Sequence, residues 1–260
     1  MSEYGSEYGF GLAQGYDERQ PVVLLLDTSA SMGRPAESPR IDELSEALTR
    51  WFDGVRAEPR LQARVEVCLI TFDSRVRVFD PDLERLVPVE EAAPDRLFVP
   101  VERMRPPRLA ASGLTRMTEA VETALDLARE RHRVLQERQV QVRRPFLWVL
   151  TDGAPSDADG EPVDADALAG TAEKVRRGEE RGECVLQAIG VRGADLELLR
   201  VLAPKGALML EGLDFGQILD LLFQSSDRIG AVQAADEIHG QVADLVDRQR
   251  RLRLLEERYQ

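Results

Sequence analysis

Residues 27–33 read DTSASMG and follow the apolar run PVVLLL. Asp27, Ser29 and Ser31 stand there at alternate positions. Alternate side chains of an extended segment point the same way, so these three oxygens can face one point. A carboxylate and two hydroxyls are hard donors. They suit Mg²⁺, Mn²⁺ or Ca²⁺ rather than zinc, and no Cys or His cluster accompanies them. The same residues also make a polar turn in which a serine caps a following helix, a common way for a strand to end. A second apolar run, PFLWVLTDG (145–153), ends in Thr151 and Asp152.

The elements that position these groups alternate along the chain. PVVLLLD (21–27), RVEVCLITFDS (64–74), PFLWVLTDG, CVLQAIGV (184–191) and ALML (207–210) read as strands, the longer ones apolar enough to be buried on both faces. VRVFD (76–80) reads as a short partner strand after a turn at Asp73–Arg75. Between them the spacing predicts helices over 38–55, 117–136, 165–182, 194–203 and 215–229. Ser38 is the expected cap of the first, with Pro39 at its first position. The stretch 81–113 holds six prolines and reads as loops, with one extended segment near Leu97–Val99. Strands separated by helices imply a mainly parallel sheet covered on both faces. In such sheets ligands sit beyond the carboxyl ends of the strands, where Asp27–Ser31 and Thr151–Asp152 both lie.

Three regions follow. Residues 1–20 carry SEYG twice and read as a flexible arm, with Tyr4 and Tyr8 as possible docking side chains. Residues 21–230 form the α/β domain. Residues 231–260 form an amphipathic helical extension, with Ile238, Val242, Leu245, Gln249 and Leu252 at 4-3-4-3 spacing, packing on the domain or on a partner.

The chain of 260 residues is 43% hydrophobic, enough for a substantial core, and its formal net charge is −13. That charge argues against non-specific nucleic-acid or anionic-membrane binding. Cys68 and Cys184 fall in predicted buried strands with no spacing motif, which fits core residues in a reducing compartment. The N-terminus lacks the apolar run of a signal peptide, and no segment is long and apolar enough to span a membrane. A cytoplasmic protein is the expectation.

D-x-S-x-S at 27–31, ITFDS at 70–74, Thr115 opening a helix and TDG at 151–153 occur in an order and spacing that resembles the von Willebrand factor type A (vWA) family, over about residues 20–230. LLLDTSASM, ITFDS and TDGAPSD resemble most its bacterial TerY-like branch, linked to tellurium resistance and stress systems. The resemblance implies a Rossmann-like α/β fold: a mainly parallel central sheet, one short antiparallel edge strand, and helices on both faces. It also implies a metal-ion-dependent adhesion site (MIDAS). Ser29, Ser31 and Thr115 would ligate Mg²⁺, with Mn²⁺ or Ca²⁺ as alternatives, through hydroxyls; Asp27 and Asp152 would act mostly through bound water. An acidic residue of a protein partner would complete the shell. Three neutral hydroxyls leave the ion's charge poorly compensated, so such a carboxylate gains a strong, oriented bond. Residues 113–115 read GLT where the family often has GGT. Leu114 therefore implies a different backbone path in that loop, and Thr118 is the alternative third hydroxyl.

The function implied is a non-enzymatic, metal-dependent protein-binding module, an adaptor or scaffold in a bacterial stress-response or defence system with a kinase and a phosphatase among its partners. A haloacid-dehalogenase-type phosphatase also begins with an Asp at the end of a first strand, but its general acid would stand where Ser29 is. A vWA interaction domain that uses no metal is the other alternative. No phosphate-binding GxxxxGK[ST] or post-strand GxGxxG is present. His132 and His239 match no nucleophile motif and read as solvated helix positions.

Overall fold

The apolar runs are satisfied by pairing with one another and by cover on both faces. The computed structural model describes residues 18–55, 58–210, 214–228 and 233–256; Tyr4 and Tyr8 of the arm lie outside the described residues. Five parallel strands form the centre: β1 (Glu18–Asp27), β2 (Val65–Phe72), β7 (Phe146–Thr151), β8 (Val185–Gly190) and β9 (Ala207–Met209). Beyond β2 lie β3 (Val76–Asp80) and β4 (Arg85–Pro88), both antiparallel, giving the order β4-β3-β2-β1-β7-β8-β9. Two short segments sit off this path: β5 (Val99–Pro100), antiparallel to β2, and β6 (Gln141–Val142), parallel to β1. The α/β architecture is as expected, but the antiparallel edge is larger than one strand. β4 lies in the proline-rich stretch read as loop, where Pro88 ends the strand and conceals a pattern only four residues long.

The pleat of β1 shows why the run is continuous. Val22, Leu24 and Leu26 pack on one face with α1 (Arg40–Gly54), α6 (Phe215–Arg228) and α7 (Ala235–Glu256). Val23 and Leu25 pack on the other with α3 (Met117–Glu137), α4 (Ala165–Glu180) and α5 (Leu196–Leu202). A further short helix, α2 (Pro59–Arg64), was not legible because it is only six residues long and two of them are arginines. β1 starts at Glu18, ahead of the apolar run. At α1, Pro39 stands at the cap itself, and Ser38 Oγ donates instead to Glu43 Oε1 at 2.9 Å.

Two readings change with packing. His239 is buried rather than solvated: its Nδ1 lies 2.8 Å from Gln187 Nε2 and its Nε2 3.0 Å from Glu179 Oε1. In α7 the buried stripe is Ala235, Ile238, Val242 and Val246, which joins the α1–α6 core, whereas Leu252 is 50% exposed. The buried positions drift at the pitch of a single packed helix rather than repeating at coiled-coil heptad spacing. Cys68 in β2 and Cys184 just before β8 are free, buried thiols, and burial pushes both up to about 12, out of the reactive range. Among the described residues no helix is long and apolar enough to cross a membrane.

One buried ion pair joins sheet and helix. Glu66 of β2 receives both arms of Arg131 from α3, at 2.6 and 2.5 Å, and the Arg131 guanidinium also lies 5.8 Å from the Phe98 ring centre. Arg131→Met should cost about 3–5 kcal/mol in denaturant unfolding because it strands a buried carboxylate. Adding Glu66→Leu should recover most of that loss. A double variant no more stable than the single one would refute this account.

Candidate metal centre

The site forms where strand order reverses. β1 lies between β2 and β7, so the loops after β1 and β7 part to opposite faces and leave a crevice at the strand ends. The register sets Leu26 opposite Leu150, so Asp27 and Thr151 emerge side by side. Both oxygens of Asp27 are held: Oδ1 accepts from the Ser29 backbone N–H at 2.8 Å, and Oδ2 accepts from Thr151 Oγ1 at 2.5 Å. After Asp27 the chain does not stay extended. It turns into a 3₁₀ segment over Ala30–Gly33, and this turn, rather than strand alternation, brings the two serines together.

Ser29 Oγ and Ser31 Oγ are 2.9 Å apart, and Ser31 Oγ donates to Asp152 Oδ1 at 2.6 Å. Ser31 therefore accepts from Ser29, and a continuous chain of hydroxyls runs to the second carboxylate. Asp27, Ser29, Thr115 and Asp152 are buried and Ser31 is half-buried.

Thr115 is brought in by a third loop. A Cβ added to Gly153 would stand 3.5 Å from Ser31 Oγ and 3.8 Å from Thr115 Oγ1, so both hydroxyls lie close to this glycine. This favours Thr115 over Thr118, which lies in the first turn of α3; its Oγ1 is buried without a hydrogen-bond partner among the described residues. The Thr115 loop is tied on both sides. Its backbone N–H donates to Ser156 Oγ at 2.9 Å and its carbonyl accepts from the Ser156 N–H at 2.9 Å. Ala30 N–H donates to the Gly113 carbonyl, and Ser112 N–H to the Thr28 carbonyl.

The GLT departure is absorbed locally. Gly113 takes the positive φ of +70°, while Leu114 is not among the left-handed residues. Its side chain packs beside Gly160, where an added Cβ would come within 3.1 Å.

Besides Ser156, three supporting residues went unassigned in the sequence. The Asp73 carbonyl accepts from Arg116 N–H at 3.1 Å, and Ser74 Oγ accepts from Leu114 N–H at 3.0 Å, so the end of β2 holds the Thr115 loop. ITFDS signalled the pair but not its task. Arg40, the first residue of α1, bonds Asp152 Oδ2 through Nη1. Its one sequence signal is a cation at a helix start, where the helix dipole disfavours it.

The donor set passes a chemical test for a hard cation: two carboxylates and three hydroxyls, with no thiolate or imidazole. Among the described residues no group of three or more His, Cys, Asp or Glu gathers to bind a metal.

No protein-family model matches the chain, and no curated protein matches it in sequence. Solved structures similar to it include a von Willebrand factor type A protein from Catenulispora acidiphila (17% identity, 88% of this chain and 43% of that one, TM-score 0.46). Others are the ArnB paralog VWA2 from Sulfolobus acidocaldarius (13%, 80% and 45%, 0.46) and manganese-loaded TRAP from Plasmodium vivax (18%, 79% and 72%, 0.43). The chain spans less than half the length of the first two.

Burial is the main reason the Asp27 carboxyl is pushed up from 3.8 to about 6; its hydrogen bonds to Ser29 and Thr151 oppose the rise, and the charge of Asp152 adds to it. The folded protein thus holds this proton more tightly than the unfolded chain. The contribution is full below about pH 4 and is lost as pH rises through about 6. In chelator, wild type should therefore lose on the order of 3 kcal/mol more stability than Asp27→Asn between about pH 4 and about pH 7.5. Parallel pH profiles of the two in denaturant unfolding would contradict this.

Proposed function

We propose that the chain is a divalent-metal-dependent protein-binding module of the von Willebrand factor A type and acts as an adaptor rather than an enzyme. The observation that supports this reading is the chain of hydroxyls from Ser29 through Ser31 to Asp152, with Thr115 Oγ1 close to Ser31 Oγ at Gly153 and Asp27 holding the Ser29 amide. Ser29, Ser31 and Thr115 would hold Mg²⁺, or Mn²⁺ or Ca²⁺, by their hydroxyls, with Asp27 and Asp152 behind them. A bound ion supplies a Lewis acid for a carboxylate of the partner. The protein's own part is to orient the hydroxyls and keep both carboxylates shielded from water. Asp27 fixes the Ser29 amide, and Asp152 fixes the Ser31 hydroxyl. The acidic partner, its place in a stress or defence system with a kinase and a phosphatase, and a cytoplasmic setting rest on the sequence resemblance.

Calorimetric titration with Mg²⁺ and Mn²⁺ tests the centre. Wild type should bind one ion and melt at a higher temperature when loaded. Asp152→Asn should weaken binding about 10–100-fold, and Ser29→Ala should weaken it while the protein stays folded. Absence of binding by wild type, or Ser29→Ala with unchanged affinity, would end the metal reading. Capture of a partner equally well in Mg²⁺ and in chelator would end the metal-dependent one.

A further inference from the structure

Asp152 has a second claimant. Its Oδ1 takes the Ser31 hydroxyl, and its Oδ2 takes Nη1 of Arg40, which reaches across 112 residues of sequence. The carboxylate is fully buried, while the Arg40 side chain keeps 25% of its surface exposed. The turn after β8 lies against the pair: a Cβ at Gly193 would stand 2.6 Å from the Asp152 carbonyl oxygen and 4.0 Å from Arg40 Nη1. Arg40 also begins α1, where the helix end carries partial positive charge and Asp42 and Glu43 share the first turn. A cation is poorly placed there for the helix's own sake, so its position is explained by the carboxylate it meets.

We propose that Arg40 is an internal cation that competes with the divalent ion for Asp152 and so sets the ion concentration at which the centre fills. The inference rests on the metal reading above. A guanidinium and a divalent ion beside one buried carboxylate repel each other strongly where water is excluded. Without an ion, Arg40 neutralises one of the two buried carboxylates and keeps the empty centre folded. As the ion arrives, the partly exposed guanidinium moves off toward solvent, so filling the centre is an exchange of one cation for another.

Calorimetric titration of Mg²⁺ into the full chain, with melting curves in chelator and in Mg²⁺, tests this on wild type, Arg40→Met and Arg40→Lys. Arg40→Met should bind Mg²⁺ about tenfold tighter, melt lower in chelator and gain more from Mg²⁺ than wild type does. Arg40→Lys restores the charge and should return affinity toward the wild-type value. Should Arg40→Met fail to fold, Arg40→Gln is measured in the same way. Equal affinity in all variants would overturn the competition and leave the metal reading standing. Weaker binding by Arg40→Met or Arg40→Gln would overturn it too, making Arg40 a builder of the centre. No Mg²⁺ binding by any variant, wild type included, would overturn both.

Discussion

Two carboxylates, Asp27 as the last residue of β1 and Asp152 just beyond β7, stand at the ends of adjacent parallel strands with almost no access to water. Holding like charges there is the constraint on which this end of the molecule depends. Burial alone would drive such groups to take up protons. Here the backbone N–H of Ser29 and the hydroxyls of Thr151 and Ser31 answer them, and the Arg40 guanidinium supplies a full opposite charge. Each of these donors comes with a backbone that must take a particular path, so the polar network and the loop conformations define one another.

The sheet makes the network possible. Because β1 and β2 are covered by helices on both faces, their ends are rigid, and their register fixes where the loops begin. Thr28 N–H donates to the Phe72 carbonyl, which continues the β1–β2 pairing past the last residue of β1. Asp73 and Ser74, just beyond β2, then hold the loop that carries Thr115. Core packing, far from the site, thus sets hydroxyl positions to within the reach of a hydrogen bond. Gly153 completes the arrangement, close to the hydroxyls of both Ser31 and Thr115.

Much of this was legible in the sequence because it follows from periodicity. The central strands are long apolar runs, α1 and α3 have strong helical spacing, and Asp27 and Asp152 each follow such a run. Weak local patterns hid what remained. β4 is four residues long, α2 is six, and the buried stripe of α7 follows a helical drift, whereas a heptad reading continues past Leu245, which does pack on the core, to the exposed Leu252. His239 sits in a charged helix, and the partners that meet it when buried, Gln187 and Glu179, are distant in sequence.

By itself, then, the sequence determined the α/β alternation, the strand ends at which chemistry gathers, and the hard-oxygen character of the donors. Those depend on local residue type and spacing, which need no folded chain to be read. Tertiary structure alone decided how Ser29 and Ser31 approach each other, that Thr115 rather than Thr118 faces Ser31 across Gly153, and that Arg40 occupies Asp152. The first depends on a 3₁₀ turn that replaces strand alternation, and the others on contacts between loops far apart in the chain. Such contacts are set by strand register and helix packing, which no short stretch of sequence contains.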